Sequence, residues 1–146
     1  MPGILVGIDG SADSQDALEW AAREAALRHT SLTVLTVQQA VAGFWGGTLR
    51  YAGDEELTEK ARQAAQAETD TVLARLGDAR PTSVTVTATK GIPAEEIINQ
   101  GADADMIVVG SRGSGGFSRL LQGSVSAKVA EHAEVPVTIL PARKSG

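Results

Sequence analysis

The stretch DMIVVGSRGSGGFSRLLQGS, which runs from Asp105 to Ser124, decides the fold of this chain. It opens with Met106 to Val109, a short run that is wholly apolar and rich in β-branched residues. Such a run is typical of a strand that is buried on both faces of a parallel sheet. The run stops at Gly110, and a helical pattern begins at Ser124. The stretch therefore predicts a strand, a glycine-rich loop and the N-terminus of a helix in succession.

The glycines of this loop are spaced in a way that suits a bound phosphate. Gly113 follows Gly110 after two residues, and Gly123 follows Gly113 after nine. Glycine permits positive φ angles and close approach of a ligand, and a helix N-terminus offers unpaired N–H groups to an anion. The loop lacks the Gly-Lys-Ser/Thr of a Walker A motif, and it is not GxGxxG because Ser118 stands at the last glycine position. Strand, loop and helix together predict a phosphate-binding site.

A known spacing, G-x2-G-x9-G-[ST], describes the loop. Its fixed positions are filled by Gly110, Gly113, Gly123 and Ser124. This spacing resembles the ATP-binding motif of the universal stress protein family. The resemblance extends from ILVGIDGS, which begins at Ile4, to VPVTIL, which ends at Leu140, and it is weakest between Gln39 and Gly53.

Length, charge and composition narrow the class of protein. The chain has 146 residues, which predicts one nucleotide-binding domain over residues 1–146. Its 13 basic and 18 acidic residues leave a net charge of −5, so we expect no nucleic-acid partner. The absence of cysteine excludes disulfides, a thiol nucleophile and a cysteine-based zinc site. We expect no signal peptide and no membrane span, and we predict a cytoplasmic location.

Strand-like and helix-like segments alternate along the chain. The strand-like segments are Ile4–Ile8, Leu32–Val37, Ser83–Ala88, Met106–Val109 and Val135–Leu140. The alternation predicts an α/β fold, an open doubly wound five-stranded parallel sheet with helices on both faces. The family resemblance implies the strand order 3-2-1-4-5. Ligands bind such sheets beyond the carboxyl ends of the strands, where the strand order reverses. That point lies between the first strand, which ends at Asp9, and the fourth, which ends at Gly110.

Helical spacing of apolar residues predicts the inner faces of three helices. The first helix, capped by Ser11 or Ser14, presents Leu18, Ala21, Ala22 and Ala25. A helix from Asp54 to Leu76 presents Leu57, Ala61, Ala64, Val72 and Leu76. The helix that begins at Ser124 presents Val125, Val129, Ala130 and Ala133. The charged residues of the segment from Asp54 to Leu76 are interpreted as a solvated face.

Three residues at the ends of the first two strands are candidates for the nucleoside. The Asp9 carboxylate can accept a hydrogen bond from an adenine amine or a ribose hydroxyl, or it caps the turn that follows. The resemblance implies that this position contacts the nucleoside. It also implies that the backbone of Val37 reads the adenine edge. The side chains of Val37 and Ile8 are equally those of core residues.

The glycine loop supplies the candidates for the phosphates. Gly110 and Gly113 are expected to turn the backbone so that its N–H groups face phosphate oxygens, and Gly123 and Ser124 are expected to bind a second phosphate. Arg112 either pairs with a phosphate or is solvated. The predicted binding set is completed by Val125 and Ser126, although Ser126 is equally a surface hydroxyl. The ligand implied by the resemblance is ATP, and Mg²⁺ would arrive with its phosphates.

The segment from Gln39 to Gly53 and the last strand are candidates for contacts with other molecules. The segment lacks clear periodicity, so it is interpreted as a loop that serves as a lid, as a contact surface or only as flank packing. The run VPVTIL, Val135 to Leu140, is expected at a sheet edge. Members of the resembled family commonly dimerise through this strand, so a homodimer is predicted, while a further protein partner stays unidentified.

Three functions remain open from the sequence. The first is an ATP-binding stress-response or regulatory protein whose nucleotide sets its conformation or its dimer. The second is an ATPase or phosphotransferase that uses the same crevice. Phosphoryl transfer needs a positioned base and a charge clamp, and the sequence shows neither a P-loop lysine nor an evident base. The third is a dimeric interaction module without a nucleotide, which ranks last because the chain keeps the whole glycine motif.

Overall fold

The computed structural model describes residues 3–39, 43–45, 48–50, 54–111 and 124–141, and these ranges contain seven strands and four helices. In chain order they are β1 (Gly3–Ile8), α1 (Ala12–Leu27), β2 (Ser31–Gln39), β3 (Gly43–Trp45), β4 (Thr48–Arg50), α2 (Asp54–Leu76), β5 (Val84–Gly91), α3 (Pro93–Gln100), β6 (Met106–Gly110), α4 (Ser124–His132) and β7 (Val137–Leu140). None of the helices in the described ranges is both long and apolar enough to cross a membrane.

Five strands form one parallel sheet in the order β5-β2-β1-β6-β7. When the strands of this sheet are numbered along the chain, the order is 3-2-1-4-5, which confirms the predicted fold class. The chain moves outward in one direction from β1 to β5 and in the other direction from β6 to β7. The strand order therefore reverses between β1 and β6, at the centre of the sheet.

Side chains of alternate strand residues divide the core into two layers. On one face, α1 and α2 pack against the strands around Val6, Val34 and Val108. On the other face, α3 and α4 pack around Leu35 and Ile107. The short central strands β1 and β6 are buried on both faces, which is the reason why their sequences are almost continuously apolar.

The inner face of α1 is as predicted, whereas those of α2 and α4 differ in part. All the residues predicted for α1 are buried: Leu18, Ala21, Ala22 and Ala25. In α2 the buried stripe consists of Ala65, Thr69, Val72 and Leu76, while Leu57 and Ala64 are exposed. Ala130 of α4 is also exposed. Neighbouring alanines such as Ala64 and Ala65 fit a helical period equally well, so only packing decides which of them is buried.

The last strand is shorter than predicted. The sheet pairing of β7 begins with Val137 beside Ile107 rather than at Val135. Pro136 still accepts a hydrogen bond from the Ile107 N–H at 2.9 Å. A proline has no N–H to return, so regular pairing starts only after it.

A short hairpin lies in the segment that was predicted as an irregular loop. β3 and β4 pair antiparallel, with Gly43 opposite Arg50 and Trp45 opposite Thr48. Three-residue strands carry too little alternation for a period to be recognised in the sequence. The other residues between Gln39 and Asp54 lie outside the described residues.

Candidate functional site

The ends of β1, β2 and β6 bring several predicted site residues to one edge of the sheet. In the register of β1 with β2, Ile8 pairs with Thr36, so Asp9 and Val37 come next in their strands. Gly110 lies two residues beyond the last pair of β1 with β6, at the level of Ile8. The reversal of strand order predicted as the ligand site is therefore flanked by Asp9 and Gly110, and Val37 lies at the same edge one strand away.

The two apolar candidates have mainly core side chains. Ile8 is 6% exposed and belongs to the cluster under α1 and α2. Val37 is half-buried and packs against the cluster under α3 and α4. Ile8 is the last residue of β1. Val37 instead lies inside β2, opposite Thr89 of β5, because β2 continues to Gln39 beyond its predicted end at Val37.

Asp9 holds the turn between β1 and α1. Its Oδ1 atom accepts a hydrogen bond from the Ser11 N–H at 3.0 Å, and its own N–H donates to Ser14 Oγ at 3.2 Å. Ser11 is the N-cap of α1, because its Oγ accepts the Ser14 N–H at 3.2 Å. Gly10 between them has φ +85°, a conformation that favours glycine. Asp9 thus caps the turn, which was one of its two interpretations, and it is exposed at the carboxyl end of β1.

Gly110 allows α1 to approach the end of β6. Its φ is not in the left-handed region, and a Cβ there would lie 3.2 Å from the Asp13 carbonyl oxygen. That separation is tighter than an ordinary contact, so a side chain at this position would require the first turn of α1 to give by a few tenths of an ångström. The expected role of Gly110, which is to turn the backbone so that N–H groups face a phosphate, stays a prediction. Its Ser111 neighbour continues the extended path, donating to the Leu140 carbonyl at 2.9 Å.

The other end of the glycine motif opens α4. Ser124 is the exposed first residue of this helix, Val125 is half-buried, and Ser126 is 6% exposed. Ser126 is therefore buried, and the interpretation of its hydroxyl as a surface group is wrong. The helix follows β6 and precedes the parallel strand β7, so its N-terminus lies at the carboxyl edge of the sheet. Three predicted residues, Arg112, Gly113 and Gly123, lie outside the described residues.

Glu68 of α2 reaches the same turn, and the sequence interpretation missed it. Its Oε1 atom lies 3.9 Å from the point that a Cβ on Gly10 would occupy. Its Oε2 atom is buried and accepts no hydrogen bond from the residues that the structure describes, while the Gln15 side chain bonds to the carboxylate. The residue is one position away from the buried Thr69, on the flank of the buried stripe of α2. Its place next to Thr69 was the only sign in the sequence that the Glu68 carboxylate is less solvated than the other charged side chains of α2.

Burial raises the pKa of Glu68 above its ordinary value of 4.5. The negative charge of Asp9 raises this pKa further, whereas the hydrogen bond with Gln15 lowers it. Since the folded chain holds the proton more tightly than the unfolded chain, the stabilisation is complete below pH 4.5 and is lost as the pH rises through the folded-state pKa. Ionisation of Glu68 above its folded-state pKa therefore lowers the stability of the fold.

Comparison with known proteins identifies the family. A sequence profile described as the universal stress protein family matches residues 2–141. The chain belongs to the universal stress protein family. Its family domain therefore includes the whole five-stranded sheet and both described ends of the glycine motif.

Related universal stress proteins agree with this assignment. One from Mycolicibacterium smegmatis is 36% identical over 139 residues, which are 94% of this chain and 47% of the relative. The chain spans about half the length of the curated relatives it matches.

Two solved structures of the family share the fold. The universal stress protein UspA from Lactobacillus plantarum aligns with a TM-score of 0.70 and 26% identity, covering 95% of this chain and 97% of its own. A universal stress protein solved in complex with cAMP aligns with a TM-score of 0.66 and 25% identity, covering 96% of both chains.

Proposed function

We propose that this universal stress protein domain binds ATP at the reversal of strand order and acts as a stress-response regulator with slow or no hydrolysis. The observation that carries the proposal is the meeting of Asp9, Val37 and Gly110 at one edge of the sheet, at the start of the G-x2-G-x9-G-S motif. Open α/β sheets bind ligands at this place. The cAMP complex of a related structure supports an adenine nucleotide as the ligand class.

In this proposal the nucleoside lies over β1 and β2 and the phosphates lie over β6 and α4. Asp9 and the backbones of Ile8 and Val37 contact the nucleoside. The glycine loop, with Arg112, Gly113 and Gly123, surrounds the phosphates. The start of α4 adds backbone N–H groups and hydroxyls of Ser124, Val125 and Ser126, because a helix N-terminus favours negative charge. Mg²⁺, where it is bound, arrives with the phosphates.

The regulatory part of the proposal concerns what the nucleotide changes. The segment that contains β3 and β4 follows β2 directly, so it begins beside the proposed adenine position. The segment, or the dimer, is proposed to have two conformations for which the nucleotide has different affinities. Nucleotide binding then shifts the populations of the two conformations, and this shift changes how strongly a partner binds. The proposal also includes the predicted cytoplasmic location.

Nucleotide analysis tests the proposal directly. Freshly purified protein is denatured, the released nucleotide is identified by mass spectrometry, and the emptied protein is titrated calorimetrically with ATP and magnesium. We expect intact ATP to be released, or ATP to bind tightly to the emptied protein, because slow turnover leaves ATP intact. Released ADP would instead favour an ATPase. If no nucleotide is released and none binds, the proposal is wrong and the glycine motif is structural.

We also propose that the chain forms a homodimer through β7. This strand is at the edge of the sheet and exposes 41% of Ile139. An edge strand presents unpaired backbone groups that a second copy can pair with. Sedimentation at micromolar concentration is expected to show twice the 15.1 kDa mass, and Ile139→Lys is expected to shift the protein towards the monomer. A wild-type protein that sediments only as one chain would contradict the dimer.

A further inference from the structure

We propose that Glu96 of α3 determines base specificity at the nucleoside end of the nucleotide site. Its carboxylate selects a base that carries an exocyclic amine over a base that carries a keto oxygen at the same position. This inference rests on the proposed function, because it assigns a role to a residue beside the strand that would hold the adenine. Glu96 lies between β5 and β6 in the sequence, outside the G-x2-G-x9-G-S motif.

The order of the strands sets the direction in which a bound nucleotide extends. In the sheet β6 is followed by β1, β2 and β5, so three strand intervals, roughly 14 Å in total, separate β6 from β5. A nucleotide that places its phosphates over β6 and α4 spans much of this distance and directs its base towards β2 and β5. The helices α3 and α4 pack on the same face of the sheet, and α3 begins directly after β5. Their N-termini therefore lie at the two ends of this path.

The Glu96 carboxylate lies just beyond the ends of β5 and β2. Gly91 is the last residue of β5 and pairs with Gln39, the last residue of β2. A Cβ on Gly91 would lie 3.2 Å from Glu96 Oε2, and Gly91 has φ +147°, a conformation that side chains rarely adopt. Glycine at this position therefore leaves room for the carboxylate against the end of the strand. Val37, whose backbone is the proposed reader of the adenine edge, precedes Gln39 by two residues.

A ligand can reach this carboxylate. Glu96 is half-buried, and it is not among the residues that have a buried oxygen without a partner. Within the described part of the chain, no hydrogen bond or ion pair involves its carboxylate. Lys90 is close in the sequence, but its side chain lies on the same face of β5 as Val84 and Val86, under α2 rather than α3. An ionised carboxylate can only accept, so its hydrogen-bonding partner must be a donor from water or from a ligand.

The charges at the two helix N-termini fit the same orientation of the nucleotide. The first turn of α4 contains no acidic residue, whereas that of α3 contains Glu95 and Glu96. A helix N-terminus attracts an anion, but acidic side chains in its first turn already take that role and repel a second anion. Phosphates are therefore favoured at α4, and a group that donates hydrogen bonds is favoured at α3.

A carboxylate at the base end discriminates between an amine and a keto group. The 6-amino group of adenine donates a hydrogen bond to it, whereas the 6-keto oxygen of hypoxanthine is repelled by the negative charge. A site that accepts a hydrogen bond from its ligand rejects an analogue without that donor, because the polar group of the site is left unpaired. Glutamine at position 96 would remove the charge and add an N–H₂ group that can donate to the keto oxygen.

The test compares two nucleotides with three proteins. Wild type, Glu96→Gln and Glu95→Gln are titrated calorimetrically with ATP and with inosine triphosphate, which carries a keto group in place of the amine. Glu95→Gln is the matched control, because Glu95 is exposed and its substitution removes the same charge from the same first turn. An effect that comes only from the dipole of α3 is therefore shared by both variants. Thermal denaturation checks that each variant is folded.

We expect wild type to bind ATP more tightly than inosine triphosphate. Glu96→Gln is expected to reduce the ratio of the two affinities at least about tenfold, the size of one lost charge-assisted hydrogen bond, whereas Glu95→Gln leaves the ratio unchanged. Equal affinities of wild type for the two nucleotides, an unchanged ratio in Glu96→Gln, or equal effects of the two substitutions would overturn the inference while the proposed function stands. If wild type binds no nucleotide, the proposed function itself is wrong.

Discussion

Replacing Gly123 with valine is expected to weaken ATP binding at least about 100-fold, because about two charge-assisted hydrogen bonds to phosphate would be lost. In the proposed site this glycine directly precedes Ser124, the first residue of α4. A β-branched side chain there would occupy the space of the phosphate and cover the N–H groups of the helix N-terminus. Calorimetric titration with ATP measures the loss.

Gly77→Ala is a suitable control for the Gly123 variant. Gly77 ends α2 with φ +60°, and a Cβ there would have no neighbour within 4 Å. The substitution is expected to cost about 1 kcal/mol of stability through its left-handed backbone, with unchanged ATP affinity. If Gly123→Val keeps the wild-type affinity, the loop does not bind phosphate. A large fall in the melting temperature of Gly123→Val would show that its effect is on the fold.

Replacing Ile107 with alanine is expected to lower the free energy of unfolding by about 4 kcal/mol. Ile107 is in the central strand β6 and has no exposed surface. It packs with Leu5 and Ile97, and its Cδ1 atom lies 2.6 Å from the point that a Cβ on Gly101 would occupy. The backbone on both sides is fixed by sheet pairing, so the cavity left by the lost carbons cannot close fully. Urea denaturation measures the change.

The exposed Ile92 provides the matched comparison for Ile107. It directly precedes α3 and is 55% exposed. The change Ile92→Ala removes the same atoms from a partly hydrated side chain, so the expected loss is below about 1 kcal/mol. The urea concentration at the unfolding midpoint is expected to fall for Ile107→Ala, while the dependence of the unfolding free energy on urea concentration stays unchanged. Equal losses for the two variants would contradict the assigned position of Ile107 in the core.

The two ends of the candidate site differ in how well the sequence predicts them. Asp9 and Gly110 each follow an apolar run that is typical of a buried strand. Because parallel strands end at the same edge of a sheet, the positions of Asp9 and Gly110 at one edge could be predicted. The reason for glycine at position 110 could not, because the close contact with the Asp13 carbonyl joins residues far apart in the chain. The same applies to Glu68, which is near Asp9 only because α2 packs beside α1.

Local patterns in the sequence by themselves determined the alternation of strands and helices, the start of α1 near Ser11 or Ser14 and the glycine spacing after β6. These features depend on residues within one or two turns of each other, so period and turn chemistry suffice to specify them. The tertiary structure decided the choice between Ala64 and Ala65 for the core, the start of β7 at Val137 and the approach of Glu68 to the turn after β1. Each of these depends on packing or pairing between segments that are distant in the chain, where several alternatives satisfy the local pattern equally well.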